Sequence, residues 1–430
     1  MKRAVASIVV AISLTASAEE GFDDDGFDDE IIEVVAEHAT TAKGTLYGSM
    51  DFESHYNINN DKDLSSLKAL VDVIGEYRLD NGHKIKGNLK GYHDFIYASG
   101  MSNYSNTPDG YENEINLNEL TVEGSINSRL DFKVGRQIVV WGKSDSIRVT
   151  DVLNPIDNRV PGVVDIKNLR LGRVMSKLDY YFDELNLSFI ALHENRFTKT
   201  ASYGSDFKTT VDKATNKPDD SLANTGVALS LTGAFEGYDL GLYFADTYID
   251  KSYLDVASGT LQFDNKSKMF GVAYNQVVDS YLLKAEMAYF DQIKYTNVTD
   301  TKPRTDVLIG LEYSGISDGS LSYELAYRAI DNYDSNIYAK NNGWKKQEEY
   351  QQVVRFTQSY LNQTLDLLAT LSAFGKDAQD GGSARVSLDY AIDDQVSISG
   401  GLIDYLGGDS PALDTNKDND RIFMKVSTIF

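Results

Sequence analysis

Cysteine is absent from this chain of 430 residues, and proline occurs only six times. Without cysteine there is no disulfide framework, no thiolate metal site, no cysteine nucleophile and no acylated cysteine of the lipoprotein type. Positive charge is scarce as well. Lys and Arg number 41 against 65 Asp and Glu, for a formal net charge of −24, which argues against a nucleic-acid partner, since phosphates need a basic patch. No internal apolar run approaches the roughly 18 residues that a membrane-crossing helix needs. That gap excludes a helical membrane protein. It leaves a membrane barrel open, because barrel strands are apolar on one face only. Catalytic signatures are missing too: the five His form no HExxH pair, and there is no GxSxG elbow and no P-loop, so no enzyme and no cofactor are expected.

The first residues carry an address. Lys2 and Arg3 form a positive n-region, Ala4 to Leu14 an apolar core, and Ala16-Ser17-Ala18 a small-residue cleavage site, so 1–18 reads as a secretory signal peptide. An exported chain without cysteine fits a bacterial envelope protein. Residues 19–42 follow as an acidic leader, with Gly21-Phe22-Asp23-Asp24-Asp25 nearly repeated in Gly26-Phe27-Asp28-Asp29-Glu30. Like charges repel and the few apolar residues cannot build a core, so this periplasmic leader is expected to be disordered. Its Phe22 and Phe27 are candidate anchors for a basic groove on a partner; the plainer reading is a solvated spacer.

From residue 43 to 430 the dominant signal is alternation. Leu46, Gly48, Met50, Phe52 and Tyr56 share one face, with Ser49, Asp51, Glu53 and His55 on the other. Leu67, Ala69, Val71, Val73, Tyr77 and Leu79 alternate with Lys68, Asp72, Glu76 and Arg78, and Ile85, Leu89, Phe95 and Tyr97 with Lys84, Lys86, Asn88, Lys90 and Asp94. Successive strand side chains point to opposite faces, so each segment has an apolar face and a polar one. The pattern sends Leu325 towards lipid and Glu324 towards a lumen, where an arginine should be tolerated.

Connections alternate in length. Tight turns at Asp80-Asn81-Gly82, Asn127-Ser128, Asp183-Glu184, Glu236-Gly237, Asp279-Ser280, Ser317-Asp318-Gly319, Leu361-Asn362 and Asp393-Asp394 separate longer polar stretches. This rhythm describes an all-β transmembrane antiparallel barrel of about 18 strands, with short periplasmic turns and long external loops. The last segment agrees: Ile422, Met424, Val426, Thr428 and Phe430 share one face, resembling the C-terminal signal by which outer-membrane barrels are recognised for assembly. The expected location is the bacterial outer membrane. Lipid, lipopolysaccharide and the barrel-assembly machinery are the expected partners.

One connection differs in kind. Gly135-Arg136-Gln137 through Trp141-Gly142, then Asp145, Arg148, Asp151, Asn154-Pro155, Asp157, Arg159 and Pro161-Gly162, form the third long connection, between strands five and six. It holds one of only two Trp and two of the six Pro, with mixed charges. As a constriction it would set Asp145, Asp151, Asp157 and Asp165 against a basic wall of Arg78, Lys84, Lys86, Lys90, Lys133, Arg173 and Lys177. Opposed charge rows across a water-filled eyelet orient polar solutes and penalise apolar ones. The alternatives are an external lid, and wall lysines that pair with Asp72, Glu76 and Asp94.

The motif formed by Gly135-Arg136-Gln137, Trp141-Gly142, Asp151 and Asn154-Pro155 with Asp157 resembles one in an uncharacterised family of proteobacterial outer-membrane proteins. Those proteins look porin-like and are often encoded beside exporters of the resistance-nodulation-division type. The resemblance implies an outer-membrane barrel; in porins the third external loop folds inward and narrows the channel. Three functions are compatible with the sequence: a passive channel for small polar or anionic solutes, which leads; an export component whose leader docks a periplasmic or inner-membrane transporter; and a surface protein whose long loops bind an external partner, with the lumen closed. Near the end, Asp414, Asn416, Asp418 and Asp420 alternate as in a calcium loop, but Asn419 replaces the required Gly and Lys425 the terminal Glu, so solvation is the expected role and no metal is assigned.

Overall fold

A computed structural model describes residues 43–59, 63–98, 109–208, 210–338 and 345–430. The expected signal peptide and acidic leader, with Phe22 and Phe27, lie outside the described residues. Eighteen strands form one sheet. In chain order they are β1 (Gly44–Asn57), β2 (Leu64–Arg78), β3 (Lys84–Asp94), β4 (Asn113–Asn127), β5 (Leu130–Gln137) and β6 (Arg173–Phe182). Then come β7 (Leu185–Leu192), β8 (Gly226–Phe235), β9 (Tyr238–Tyr248), β10 (Lys266–Val278), β11 (Tyr281–Ile293) and β12 (Lys302–Ile316). The last six are β13 (Gly319–Ile330), β14 (Glu348–Tyr360), β15 (Leu365–Phe374), β16 (Gly381–Ala391), β17 (Val396–Leu406) and β18 (Arg421–Ile429).

Each strand pairs antiparallel with the next, and β18 returns to β1, from Ser49 opposite Ile429 to Asn57 opposite Arg421. At the seam Gly48 and Phe430 exchange two backbone hydrogen bonds of 3.0 Å. The sheet is therefore a closed barrel with no edge, the form in which strands satisfy every backbone group within hydrocarbon. Register confirms the two faces. Along β1, Leu46, Met50, Phe52 and Tyr56 point out and stay exposed, while Tyr47, Ser49, Asp51, Glu53 and His55 point in. Ile115 at 80% and Leu46 at 69% exposure lie on a continuous apolar outer surface, a pattern that water would penalise and hydrocarbon would not.

Eight connections of two to five residues gather at one end and the longer ones at the other. The tight turns use left-handed backbone, as at Gly237 (φ 82°) and Asn362 (φ 55°), matching the twist of the strands they join. One expectation fails locally. Phe95 and Tyr97 do not extend β3; they sit in a helical turn, Phe95–Ala98. The Asp94 carboxylate accepts from the backbone N–H groups of Leu67 (2.9 Å) and Ile96 (3.2 Å), offering the backbone an alternative to the ladder.

Candidate functional site

The chain leaves the wall after Gln137 and rejoins it at Arg173. Between them the loop folds into the lumen. Its base is closed by Asn154, which is fully buried: the side chain accepts from Val139 N–H (2.8 Å) and donates to the carbonyls of Gln137 (3.2 Å) and Leu171 (2.9 Å). Leu171 N–H also donates to the Pro155 carbonyl at 2.8 Å. Arg173, only 2% exposed, adds bonds to the carbonyls of Leu153 (2.9 Å) and Glu194 (3.0 Å). Asn154, Pro155 and Arg173 thus tie the outgoing and returning strands of the loop together.

The loop's apolar face needs a seat, and the inner wall supplies one. Ala228, Ala245, Ala273, Ala288 and Ala326, on β8, β9, β10, β11 and β13, are fully buried on the lumen side and form a shallow trough. Trp141, Ile147, Val149 and Leu153 pack there with Met175, Ile190, Met269 and Phe290. The Trp141 ring stacks on Tyr243 of β9, with centroids 4.9 Å apart. Burying several large side chains at about 1.5–3 kcal/mol each is ample to hold the loop inside.

Two wall carboxylates then fix its path. Glu286 on β11 accepts from Lys143 N–H (2.6 Å), Ser144 N–H (2.8 Å), Thr150 N–H (3.1 Å) and the Thr150 hydroxyl (2.7 Å). Glu324 on β13 accepts from the Ser144 hydroxyl (2.8 Å), Asp145 N–H (3.0 Å) and Ser146 N–H (3.1 Å). Gly142 makes the approach feasible. Its φ is 91°, and a Cβ there would stand 2.7 Å from a Glu286 oxygen. Glu324 is therefore an anchor, and the alternation that marks it as a tolerant lumen position misjudges it.

The remaining aspartates are scattered over different partners. Asp145 pairs with Lys284 on β11. Asp151 pairs with Arg148 and Arg170, each at 3.0 Å, inside the loop itself. Burial alone would lower the pKa of Arg148, but Asp151 and Asp250 outweigh it and hold the guanidinium above its ordinary value. Asp157 is held by Arg159 (2.9 Å), which also donates to the Gly110 carbonyl (2.8 Å) and to Glu114 of β4 (2.6 Å). Only Asp165 reaches the far wall, where Arg355 of β14 (2.9 Å) and Arg385 of β16 (3.3 Å) share its carboxylate. Beside it the Tyr405 hydroxyl of β17 donates to the Pro161 carbonyl at 2.7 Å, and Val163 packs against Ile403, Tyr405 and Phe423. The loop touches β3–β4, β9, β11, β13–β14 and β16–β18, so it crosses the lumen.

The expected basic wall does not face these aspartates. Lys84 pairs with Glu123 (2.8 Å) and Glu76 (3.8 Å), Lys86 with Glu119 (3.7 Å), Lys90 with Asp72 (3.0 Å), Lys133 with Glu123 (3.6 Å) and Lys177 with Asp179 (3.4 Å). Arg78 is exposed at the turn end of β2. Cross-strand neighbours lie only about 5 Å away in register, so local carboxylates claim these lysines before the loop can. Asp94, expected among those acids, instead accepts from Ser66 (2.7 Å). The wall cations that pair with the loop's aspartates, Lys284, Arg355 and Arg385, and the anchor Glu286 carry no sequence signal, and Glu324 reads there only as a tolerant lumen position. Glu286 faces Ala273 and Leu308 across the ladder, a carboxylate without a cation opposite it, but that signal appears only once register is known.

The lumen thus has one apolar flank covered by the loop and another lined by ion pairs. Solved barrels of similar fold include OccAB3 of Acinetobacter baumannii, 10% identical, covering 90% of this chain and 99% of that one at a TM-score of 0.54. OpdK of Pseudomonas aeruginosa, solved with vanillate, is 10% identical over 90% of this chain and 98% of its own, with a TM-score of 0.55. OccK2 (OpdF) of Pseudomonas aeruginosa, solved in complex with glucuronate, is 12% identical with the same coverages and a TM-score of 0.53. No curated protein matches this sequence. Residues 3–430 match the model of the family described as protein of unknown function (DUF1302), and the chain belongs to that family.

Proposed function

We propose that this protein is a passive channel of the bacterial outer membrane for small polar or anionic solutes, with the loop 138–172 as its filter. The observation that carries the reading is the seating of that loop. Seven hydrogen bonds to Glu286 and Glu324 hold it across the lumen. A surface lid would not need a trough of alanines and two buried carboxylates beneath it. Solute passes between the loop and the flank of ion pairs, where polar groups replace lost hydration and apolar molecules gain nothing. The Arg355–Asp165–Arg385 cluster carries two cations on one carboxylate, which favours anions locally in an otherwise acidic protein. The two similar barrels solved with vanillate and glucuronate lend support, both ligands being small organic anions.

Purified mature protein in a planar bilayer tests this directly. Stable, ohmic single-channel steps, with reversal potentials in a potassium gluconate gradient that register anion passage, are expected. A folded barrel that inserts and passes no current would refute the channel.

A further inference from the structure

A second loop enters the barrel at its long-loop end. The chain leaves β7 at Leu192 and returns in β8 at Gly226. On the way, residues 198–208 run as a strap along the inward loop. Asp157 and Asn158 pair in parallel with Lys199 and Thr200, and Lys199 also pairs with Glu114 of β4. Ser202 N–H then donates to the Tyr111 hydroxyl, just before β4, at 3.3 Å. The tip ends on β17 and β18, on the other side of the closed ring from β7, so the strap crosses the mouth.

The tip is a compact turn closed by its own bonds. With Gly204 at φ 92°, its N–H donates to the Lys208 carbonyl (3.3 Å), and the Ser205 hydroxyl donates to the Ser202 carbonyl (2.7 Å). Such a turn can leave the wall as one piece. Its seat is Arg421 of β18, 2% exposed and oriented by a bond from its Nε to the Asn419 carbonyl (3.1 Å). The Asp206 carboxylate accepts from Arg421 at 3.2 Å, and the Asp206 carbonyl accepts from the Asn419 side chain at 2.8 Å. The Phe207 ring lies 4.8 Å from the same guanidinium and edge-on to Tyr405, with centroids 5.4 Å apart. The seat therefore holds a carboxylate and an aromatic ring side by side, both supplied by the strap. Arg421 also shares one register row with Arg385 and Arg355, through Ile403 and Thr370. Each of the three arginines is met by an aspartate borne on a loop, Asp206 on the first and Asp165 on the other two.

We propose that the strap is a gate whose tip occupies a seat for small monocarboxylates bearing an aromatic ring, and that such a solute opens it by taking that seat. The solute carboxylate replaces Asp206 on the Arg421 fork, and its ring replaces Phe207 against Tyr405. The room it needs is the room the departing tip vacates. A planar guanidinium matches a carboxylate in a way that a spherical chloride cannot reproduce. The tip is tethered, so it competes at an effective concentration of about a millimolar or more, and a solute must reach that range to displace it. This rests on the channel reading, for a gate has meaning only over a path.

The probe is 3-phenylpropionate, and 3-phenylpropanol, with the same skeleton and no charge, is its control. Spin labels go on Tyr203→Cys at the tip and Asp418→Cys beside the seat, both exposed positions, in the otherwise cysteine-free full mature chain in detergent. Pulsed dipolar spectroscopy should give one distance without solute and a second, longer population with 3-phenylpropionate, half-complete at about a millimolar or above. Chloride and 3-phenylpropanol should add none. Asp206→Asn keeps the shape of the tip and removes its charge, so the longer population should rise without solute and the midpoint should fall by about tenfold. Arg421→Gln should abolish the response to solute, while Lys208→Gln, whose side chain pairs with Asp212, should leave it intact. In planar bilayers, 3-phenylpropionate should raise the occupancy of the larger of two conductance levels. A strap distance indifferent to 3-phenylpropionate in a barrel that conducts overturns the gate and leaves the channel standing. Equal lifting by 3-phenylpropanol, or an Asp206→Asn strap that behaves as wild type, overturns the carboxylate seat. A strap that lifts as expected on a barrel that never conducts supports the seat and refutes the channel.

Discussion

Replacing Glu286 tests whether the loop is held by the wall or merely rests on it. Glu286 is 3% exposed and accepts four hydrogen bonds from Lys143, Ser144 and Thr150. Bonds to a charged acceptor are each worth about 1.5–3 kcal/mol. Lumen water recovers part of that loss, so the lower figure applies. In Glu286→Gln one amide oxygen still accepts, but the NH2 group faces a backbone N–H that also donates. About two bonds are lost, or about 3 kcal/mol at the lower figure, which raises the displaced-loop population by roughly 150-fold. Glu324 retains its three contacts to residues 144–146, so the loop should loosen only in part, on either side of them at Lys143 and Thr150. The assay is single-channel recording on refolded barrel. Larger mean conductance and excess open-channel noise are expected for Glu286→Gln, and more of both when Glu324→Gln is added. The alanine trough and the strand ladders are untouched, so heat-modifiable mobility should stay that of the native barrel. Conductance and noise equal to wild type in the double variant would refute the anchoring argument.

Four further outcomes follow from the same geometry. Leu325→Arg places a charge on the outer face, at about 2–4 kcal/mol near the bilayer midplane, and should deplete folded, heat-modifiable protein, whereas Ser387→Arg on the inner face of β16 should not. Asp165→Asn frees Arg355 and Arg385 from their shared partner, so reversal potentials at low ionic strength should move towards anion selectivity and the shift should fade in high salt. Asn154→Ala removes three buried hydrogen bonds at the loop base, at about 1 kcal/mol each, and should make the loop sensitive to protease while the barrel keeps its strand content by circular dichroism. Deleting Gly21 to Glu30 should leave conductance intact; loss of a co-purifying basic envelope partner in the same variant would support the docking role of Phe22 and Phe27, and an unchanged partner profile would reduce the leader to a spacer.

Periodicity of two made the barrel legible, because each strand must show one face to hydrocarbon and one to water. Leu46 to Tyr56 and Ile422 to Phe430 carry that pattern openly, and the two segments meet at the seam. The unusual loop was legible as well, from Trp141, Gly142 and Asn154-Pro155 in a turn-rich, mixed-charge stretch. Its partners were not. Which wall residues meet Asp165 depends on where a loop leaving β5 lands on strands that come nine or more later in the chain, and no local pattern encodes that distance. Alternation points the lysines of β3, β5 and β6 inward, yet it points their cross-strand carboxylates inward too, and those are closer. Glu324 looked dispensable because alternation reports a side chain's face and says nothing of what docks against it.

Because the chain has no native cysteine, a single introduced thiol can report whether solute passes beside the loop lodged in the lumen. Val164 is 40% exposed and lies between Val163, packed on β17 and β18, and Asp165, paired with β14 and β16. A Val164→Cys barrel in a planar bilayer, treated with a bulky anionic methanethiosulfonate, should lose current in a discrete step that a reducing agent reverses, while wild type is unaffected. Complete thiol labelling with no change in current would place the loop outside the conduction path.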